Sequence, residues 1–308
     1  MIDFGITPQR FQAECFEKKL HRHSGAFTER PVSWSDLDAL LEQIEPAEPY
    51  FRLYRNGPVA SDAYSEEIVD LGLRRRRLNK ERFATVMRGG ATLVLNRMEL
   101  FCAAARPLCA AVAQFTNQPT TGNGYISFGG TGTFGQHWDV HDVFVLQLLG
   151  RKRWRVFAPT FPLPLSAQTS DRSQQRCPAI AALDHVLESG DLLYIPRGWW
   201  HQVTPLDVPS CHLSVGSFAP SLLDYVMWVC SRCLPLEQPV RKSLVAGAQG
   251  LQDLAAAART VHAALLNPGR AGEFLALYAN SHRHAQEPVG PGVLSGLARS
   301  GAANAPER

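Results

Sequence analysis

The sequence predicts a mainly β core, folded as an antiparallel barrel or double-sheet roll, with helices before it and a helical region after it. Three observations carry this reading. Between Thr120 and about Pro220, short β-branched and aromatic segments alternate with Gly and Pro punctuation, and such closely set turns leave no room for the crossover helices of a parallel sheet. On both sides of that stretch the apolar residues return at helical spacing. The composition, 45% apolar and 19% charged over 308 residues, is that of a globular chain and not a disordered one.

The elements follow in order. Phe11, Cys15, Phe16 and Leu20 predict a helix over 7–20, with Thr7 as cap and Pro8 as first residue. His21 and His23 fall in a short strand after it. Ser35, with Asp38 three positions on, opens a second helix to Ile44. Asn56-Gly57 marks a turn. Asn79–Met87 reads as a helix stopped by Gly89-Gly90, ATLVLNRM as a strand, and Leu100–Phe115 as one helix containing Pro107. The core strands are placed at 124–128, 137–149, 153–157, 192–195 and 212–218. Helices are expected over 221–233, 240–266 and 271–279. The Gly-, Ala- and Pro-rich stretch 286–308 reads as a flexible tail. The expected division is therefore a catalytic domain over 1–220, a helical region over 221–285 and the tail.

Charge and cysteine usage exclude several classes. Lys and Arg total 31 against 28 Asp and Glu, a net charge of +3, so no global basic field favours a stable nucleic-acid partner. No apolar run approaches the roughly 20 residues of a membrane span. The first residues lack a basic region followed by an apolar stretch, so no secretory signal is expected. Seven scattered cysteines argue for a reducing, cytoplasmic setting and not a disulfide framework.

The chemistry concentrates in two segments. In GQHWDVHD, His137 and Asp139 are two apart on the expected strand and share a face, while Trp138 and Val140 point away. In GDLLYIPRGWWHQV, a strand ends at Pro196 and a turn delivers His201. A roll sets such distant strands side by side. Two imidazoles and a carboxylate on one face of an ion suit non-haem Fe(II). An isolated HxD is common by chance; the second segment and the β context select the metal reading. His141 shares that face but lies four residues from His137, about 13 Å along a strand, and is read as a pocket or rim residue.

With HWD at 137–139, DVFVLQLLGRKRWRVF at 142–157, GDLLYIPRGWWH at 190–201 and FQAECFEKKLHRHSGAF at 11–27, the chain resembles the JmjC-type 2-oxoglutarate oxygenases, and within them the cupin-like ribosomal oxygenase group. The resemblance implies a double-stranded β-helix of jelly-roll or cupin type. It implies Fe(II) held by His137, Asp139 and His201, with 2-oxoglutarate and O2 as co-substrates. The implied reaction is oxidative decarboxylation of 2-oxoglutarate coupled to hydroxylation of a protein or peptide side chain, an Arg or His of a ribosomal protein in that group. Lys152 matches the basic residue that pairs with the distal carboxylate of 2-oxoglutarate. Its strand parity differs from that of Arg151 and Arg153, which favours Lys152 inward. Asn123 and Tyr125 match pocket positions of the group, although a turn Asn and a core Tyr read equally well. His212 and Ser214 share a face of the last strand and look into the barrel. Trp199 and Trp200 suit a rigid pocket wall or ordinary aromatic core.

The chain departs from the group in one respect. The group carries a helical dimerisation region followed by a winged helix, whereas only 88 residues follow Pro220 here. The helical pair at 221–266 is the candidate homodimer region. The departure leaves room for a peptide-tailoring hydroxylase with another client, and demethylation uses the same iron chemistry. A non-catalytic cupin-like binding module would show a broken triad or a missing cation, and neither is seen. Cys230 and Cys233 read as buried helix-face residues and not a zinc pair. The run Arg74–Arg77 reads as a solvated strand edge that could meet an acidic partner or RNA.

Overall fold

The structure is a computed structural model that describes residues 1–130 and 132–286. The strands are β1 (His21–His23), β2 (Phe51–Tyr54), β3 (Ser65–Asp70), β4 (Leu73–Leu78), β5 (Thr92–Leu95), β6 (Thr120–Ser127), β7 (Asp142–Leu149), β8 (Lys152–Phe157), β9 (Leu183–Leu187), β10 (Leu192–Ile195), β11 (Trp200–Pro205) and β12 (Ser210–Ser217). A seven-stranded sheet runs β1-β10-β7-β12-β6-β5-β2, and a three-stranded sheet runs β11-β8-β9. Every pairing in both is antiparallel. The core is the antiparallel roll of the cupin type.

Alternation along the strands decides what each face carries. Val143 and Val145 of β7 and Leu193 and Ile195 of β10 meet Trp154 and Val156 of β8 and Leu187 of β9 in the interior. The opposite faces of the large sheet, with Phe144 and Leu146 of β7 and Cys211, Leu213 and Val215 of β12, pack against the N-terminal helices. Those helices are α1 (Pro8–Glu14), α2 (Trp34–Gln43), α3 (Lys80–Arg88), α4 (Met98–Phe101) and α5 (Arg106–Thr116). Phe11 of α1 packs on Phe144, Phe115 and Tyr194 with ring centroids 4.7–5.6 Å apart. Close approach at β6 needs glycine: a Cβ on Gly124 would run into the Met98 sulfur.

Several local expectations are corrected. Ser33 with Asp36, and not Ser35 with Asp38, forms the capping box of α2. The helix expected over 100–115 is two helices, because Pro107 has no N–H to donate and its ring opposes the carbonyl a turn earlier; it sits instead in the first turn of α5. Strand β7 starts at Asp142 and not at 137. His201 lies within β11 and not on a turn. Strands β9 and β11 had no separate expectation. Arg74–Arg77 fills most of β4, which pairs with β3 in a hairpin. There Arg74 meets Glu67, Arg75 meets Glu45 and Asp70, Arg76 meets Asp62, and Arg77 meets Glu66. The run is thus the strand edge expected from the sequence, and each of its arginines has a carboxylate partner, which leaves less charge over for the acidic partner or RNA also considered there.

By contact the chain divides into two units, 1–218 and 219–308. The second contains α6 (Leu222–Trp228), α7 (Gln238–Arg241), α8 (Ala248–Leu265) and α9 (Pro268–Gln286). Ser221 and Asp224 form the capping box of α6. The single helix expected over 240–266 is interrupted before Gly247, whose φ of 91° no right-handed helix accepts. Val229, Leu234 and Ala264 make a small core with Tyr225 and Trp228 beside it. Cys230 is exposed and Cys233 half-buried, so the expectation of buried cysteines fails. Helix α9 extends past the expected 279. Residues 287–308 of the expected tail lie outside the described residues. Among the described residues no helix is long and apolar enough to cross a membrane.

A polar chain ties the turn after α1 to the roll. The Glu17 amide donates to the Tyr194 hydroxyl at 3.0 Å, and that hydroxyl donates to Asp142 at 2.8 Å. The Arg197 amide donates to the same Asp142 oxygen at 3.1 Å, while its guanidinium pairs with Glu17 at 2.6 Å. Burial pushes the Asp142 carboxyl up from 3.8 to about 6, against the lowering effect of those two donors. The folded state therefore holds this proton over a pH range in which the unfolded chain has lost it. The group's contribution to stability is greatest below pH 4 and falls as pH rises through 6. Asp142→Asn keeps the accepting oxygen and removes the charge. It is expected to be more stable than the wild type at pH 7.5, by about 3 kcal/mol at most, and the gap should narrow by about 2 kcal/mol at pH 4.5. Urea unfolding at the two pH values measures this, and a gap independent of pH would refute it.

Candidate active site

Between the sheets of the first unit lies a cavity of about 240 Å³. Of the residues expected there from the sequence, its walls include Asn123, Tyr125, His137, Asp139, His141, Lys152, His201, His212 and Ser214, but not Trp199 or Trp200. The residues that hold it are set by strand alternation. Lys152 and Trp154 face inward on β8 while Arg153 faces out. His212 and Ser214 face inward on β12 opposite Tyr125 and Asn123 of β6.

His137 and His201 are brought together by the backbone. The His201 amide donates to the His137 carbonyl at 2.7 Å, and the His137 amide donates back at 3.1 Å. This is an isolated antiparallel bridge, not a continued strand. Paired residues of this kind present side chains on one face, and the two rings stand 4.3 Å apart. Asp139 follows on non-strand backbone, its carbonyl accepting from the Gly198 amide at 2.9 Å. Its carboxylate reaches within 3.7 Å of His201 Nε2. One ligand atom from each of His137, Asp139 and His201 lies within 4.8 Å of the others, and among the described residues no other group of three His, Cys, Asp or Glu does so.

Trp138 and Trp200, the neighbours of two of these residues in sequence, point the other way. They pack edge to face at 4.5 Å, with Phe157 completing the cluster. Trp138 Nε1 donates to the Gln168 carbonyl and Trp200 Nε1 to the Thr160 hydroxyl. The wall expected from Trp200 thus stands behind the triad, while Trp199 packs in the inner core.

The electrostatics suit a divalent ion. Burial, reinforced by His137, lowers the His201 imidazole from 6.5 to about 4 despite the counter-pull of Asp139. It is therefore neutral at pH 7 and its lone pair is available. Burial works to raise the Asp139 carboxyl, but His201, His141 and His137 outweigh it and hold the group below its usual range. It is ionised. Two imidazoles and one carboxylate are the donor set that Fe(II) oxygenases use, so the residues present fit that ion.

At the other end of the cavity lies a cation. Lys152 is 2% exposed. Its ammonium donates to the Tyr125 carbonyl at 2.9 Å and to His212 Nδ1 at 3.2 Å. Both partners are neutral, and among the described residues no carboxylate pairs with it. Burial lowers its pKa from 10.5 to about 8, so it is still charged at neutral pH. A buried cation without a counter-ion is costly unless an anion joins it, and a ligand carboxylate fits that requirement. The β7–β8 turn that delivers it depends on Gly150, where φ is 61° and a Cβ would collide with the Pro209 carbonyl.

The other expected residues fall into place around these. Asn123 accepts from the Arg97 amide at 3.1 Å. Tyr125 stacks on His212 with centroids 4.8 Å apart. His141 lines the cavity and stacks on Phe218, as a pocket or rim residue should. The sequence reading missed Thr92, Thr133 and Phe134. Thr133 and Thr92 join hydroxyls at 2.7 Å, and Phe134 packs between Tyr54 and Tyr125. The signal for them was the glycine-rich run just before HWD, where Gly129, Gly130, Gly132 and Gly135 all take positive φ.

Comparison with known proteins finds similarity in sequence and in fold. The family model for the JmjC domain matches residues 99–225. The chain is 35% identical over 137 residues to a Drosophila persimilis protein named bifunctional lysine-specific demethylase and histidyl-hydroxylase NO66, covering 44% of this chain and 20% of that one. It is 43% identical over 98 residues to ribosomal oxygenase 1 of Gallus gallus, covering 31% of this chain and 16% of that one. The chain thus spans about a fifth or less of these relatives. Among solved structures, the Escherichia coli ribosomal oxygenase YcfD superposes with a TM-score of 0.58 at 21% identity, covering 89% of this chain and 72% of that one. YcfD has also been solved with cobalt and 2-oxoglutarate, and that structure superposes with a TM-score of 0.58 at 20% identity and the same coverage.

Removing any one donor leaves two, too few to hold an ion firmly. His137→Ala and Asp139→Ala are each expected to weaken Co(II) binding at least about tenfold, read by calorimetric titration. Affinity equal to the wild type in both variants would show that the ion binds elsewhere.

Proposed function

We propose that the chain, whose residues 99–225 match the JmjC domain model, is a 2-oxoglutarate- and Fe(II)-dependent oxygenase that hydroxylates a protein side chain, an Arg or His of a ribosomal protein. The observation that carries this reading is the pairing of a sulfur-free His137–Asp139–His201 cluster with a buried, carboxylate-free Lys152 in one cavity. Bound iron would supply oxygen activation coupled to decarboxylation of 2-oxoglutarate. His137, Asp139 and His201 would hold it. Lys152 would pair with the distal carboxylate of the co-substrate. Asn123, Tyr125 and Ser214 would line the space it shares with the target side chain. Trp138, Trp200 and Phe157 keep water from reaching the ligands from behind. The seven free cysteines fit a reducing, cytoplasmic location.

The second unit is proposed to serve self-association. Leu222, Met227, Leu251 and Leu254 of α6 and α8 are each more than half exposed, a density of apolar surface that suits an interface. Light scattering is expected to report a dimer, and Leu222→Glu combined with Leu251→Glu a monomer; a monomeric wild type would refute this.

Activity is tested on protein purified without oxygen and then given Fe(II), 2-oxoglutarate and air. Succinate is expected from the wild type and not from His137→Ala. Lys152→Ala is expected to weaken 2-oxoglutarate binding by about 30-fold or more. Mass spectrometry of ribosomal proteins separates an added oxygen from the loss of a methyl group, which would indicate demethylation. Absence of both 2-oxoglutarate binding and turnover would overturn the reading.

A further inference from the structure

The deep end of the cavity carries a second group beside Lys152. His212 is 3% exposed and borders the cavity. Its ring is gripped on two sides. It lies flat on Tyr125, at 4.8 Å and 8°, and meets the edge of Trp154 at 5.1 Å and 76°. Strand β12 presents it there through a register shift against β7 between Cys211 and His212, the kind of irregularity that re-aims a side chain.

The hydrogen bond from Lys152 fixes the chemistry of this ring. A lysine ammonium only donates, so Nδ1 is the acceptor in the 3.2 Å contact. The ring is then neutral and its proton sits on Nε2. Burial and the adjacent Lys152 charge both favour that neutral form. Among the described residues no acceptor takes the Nε2 proton, yet that nitrogen is absent from the buried polar atoms left without a partner, so it reaches the cavity. The Lys152 ammonium has spent two of its donor directions on the Tyr125 carbonyl and on Nδ1, which leaves one.

We infer that His212 is a co-substrate-binding residue: its Nε2–H and the remaining Lys152 proton form a two-point anchor for the distal carboxylate of a 2-oxo diacid. This rests on the proposed 2-oxoglutarate chemistry and adds a ligand contact to it. The division of labour is physical. Lys152 supplies charge, and His212 supplies direction, because a neutral donor locked between two aromatic rings loses no freedom on binding. The same imidazole stops the ammonium from swinging, since Nδ1 holds it.

The test is calorimetric titration of Co(II)-loaded full-length protein with 2-oxoglutarate and, separately, with 2-oxobutyrate, which lacks the distal carboxylate. His212→Phe keeps the ring stack and removes both nitrogens. It is expected to weaken 2-oxoglutarate binding by about ten- to a hundredfold while leaving 2-oxobutyrate binding as in the wild type. His212→Gln, whose amide both accepts and donates, is expected to recover part of the loss. His212→Met, also without a ring nitrogen, takes the place of the phenylalanine variant if that one does not fold. Unchanged 2-oxoglutarate affinity, or an equal loss for both ligands, would overturn the anchor while wild-type binding and its loss in Lys152→Ala left the oxygenase reading intact. A wild-type protein that binds no 2-oxoglutarate would overturn both.

Discussion

Two backbone hydrogen bonds between His137 and His201 hold the site together. They join segments 64 residues apart in the chain. A paired position of this kind leaves each side chain only one direction, and both rings take it. The outer neighbours Trp138 and Trp200 are then forced to the far side, where they pack on each other. The turn before His201 is fixed in its own right: the Gly198 amide bonds the Asp139 carbonyl, and Arg197 is pinned by Asp142 and Glu17. Displacement of any of these would move a candidate ligand by way of the main chain.

Much of this was legible in the sequence, because the donor set is legible as residue type and spacing. HxD followed by a distant His in a β-rich stretch requires little knowledge of the tertiary fold. Parity put Lys152 on the face opposite Arg151 and Arg153, and the resemblance to a family with a cation at that position chose the inward face for it. Other features depend on partners that spacing cannot disclose. The expected strand from 137 is interrupted where the Asp139 carbonyl is taken by the Gly198 turn, and pairing resumes at Asp142. The Arg74–Arg77 run was legible as a strand edge, but its acidic partners were not, because Glu45 and Asp62 come from outside the hairpin. His212 could be placed on a face, but its tautomer is set by a lysine 60 residues away.

The cavity separates its charges by position. The carboxylate stands among histidines at one end, and the ammonium stands among neutral acceptors at the other. Neither end is self-sufficient: three donor atoms leave an ion open on one side, and Lys152 lacks a counter-charge. The folded chain accepts the cost of burying both groups without full compensation, which is the pattern expected where ligands complete the electrostatics.

The absence of sulfur from the donor set has a further consequence. Cys211, next to His212 in sequence, faces the other side of the sheet and packs in the core under the N-terminal helices, so it offers the cluster no sulfur. Two imidazoles and a carboxylate rank first-row divalent ions in the Irving–Williams order, in which iron stands below cobalt, nickel and copper. Affinity alone would therefore favour those ions over iron, and geometry and metal availability would have to decide which ion occupies the cluster.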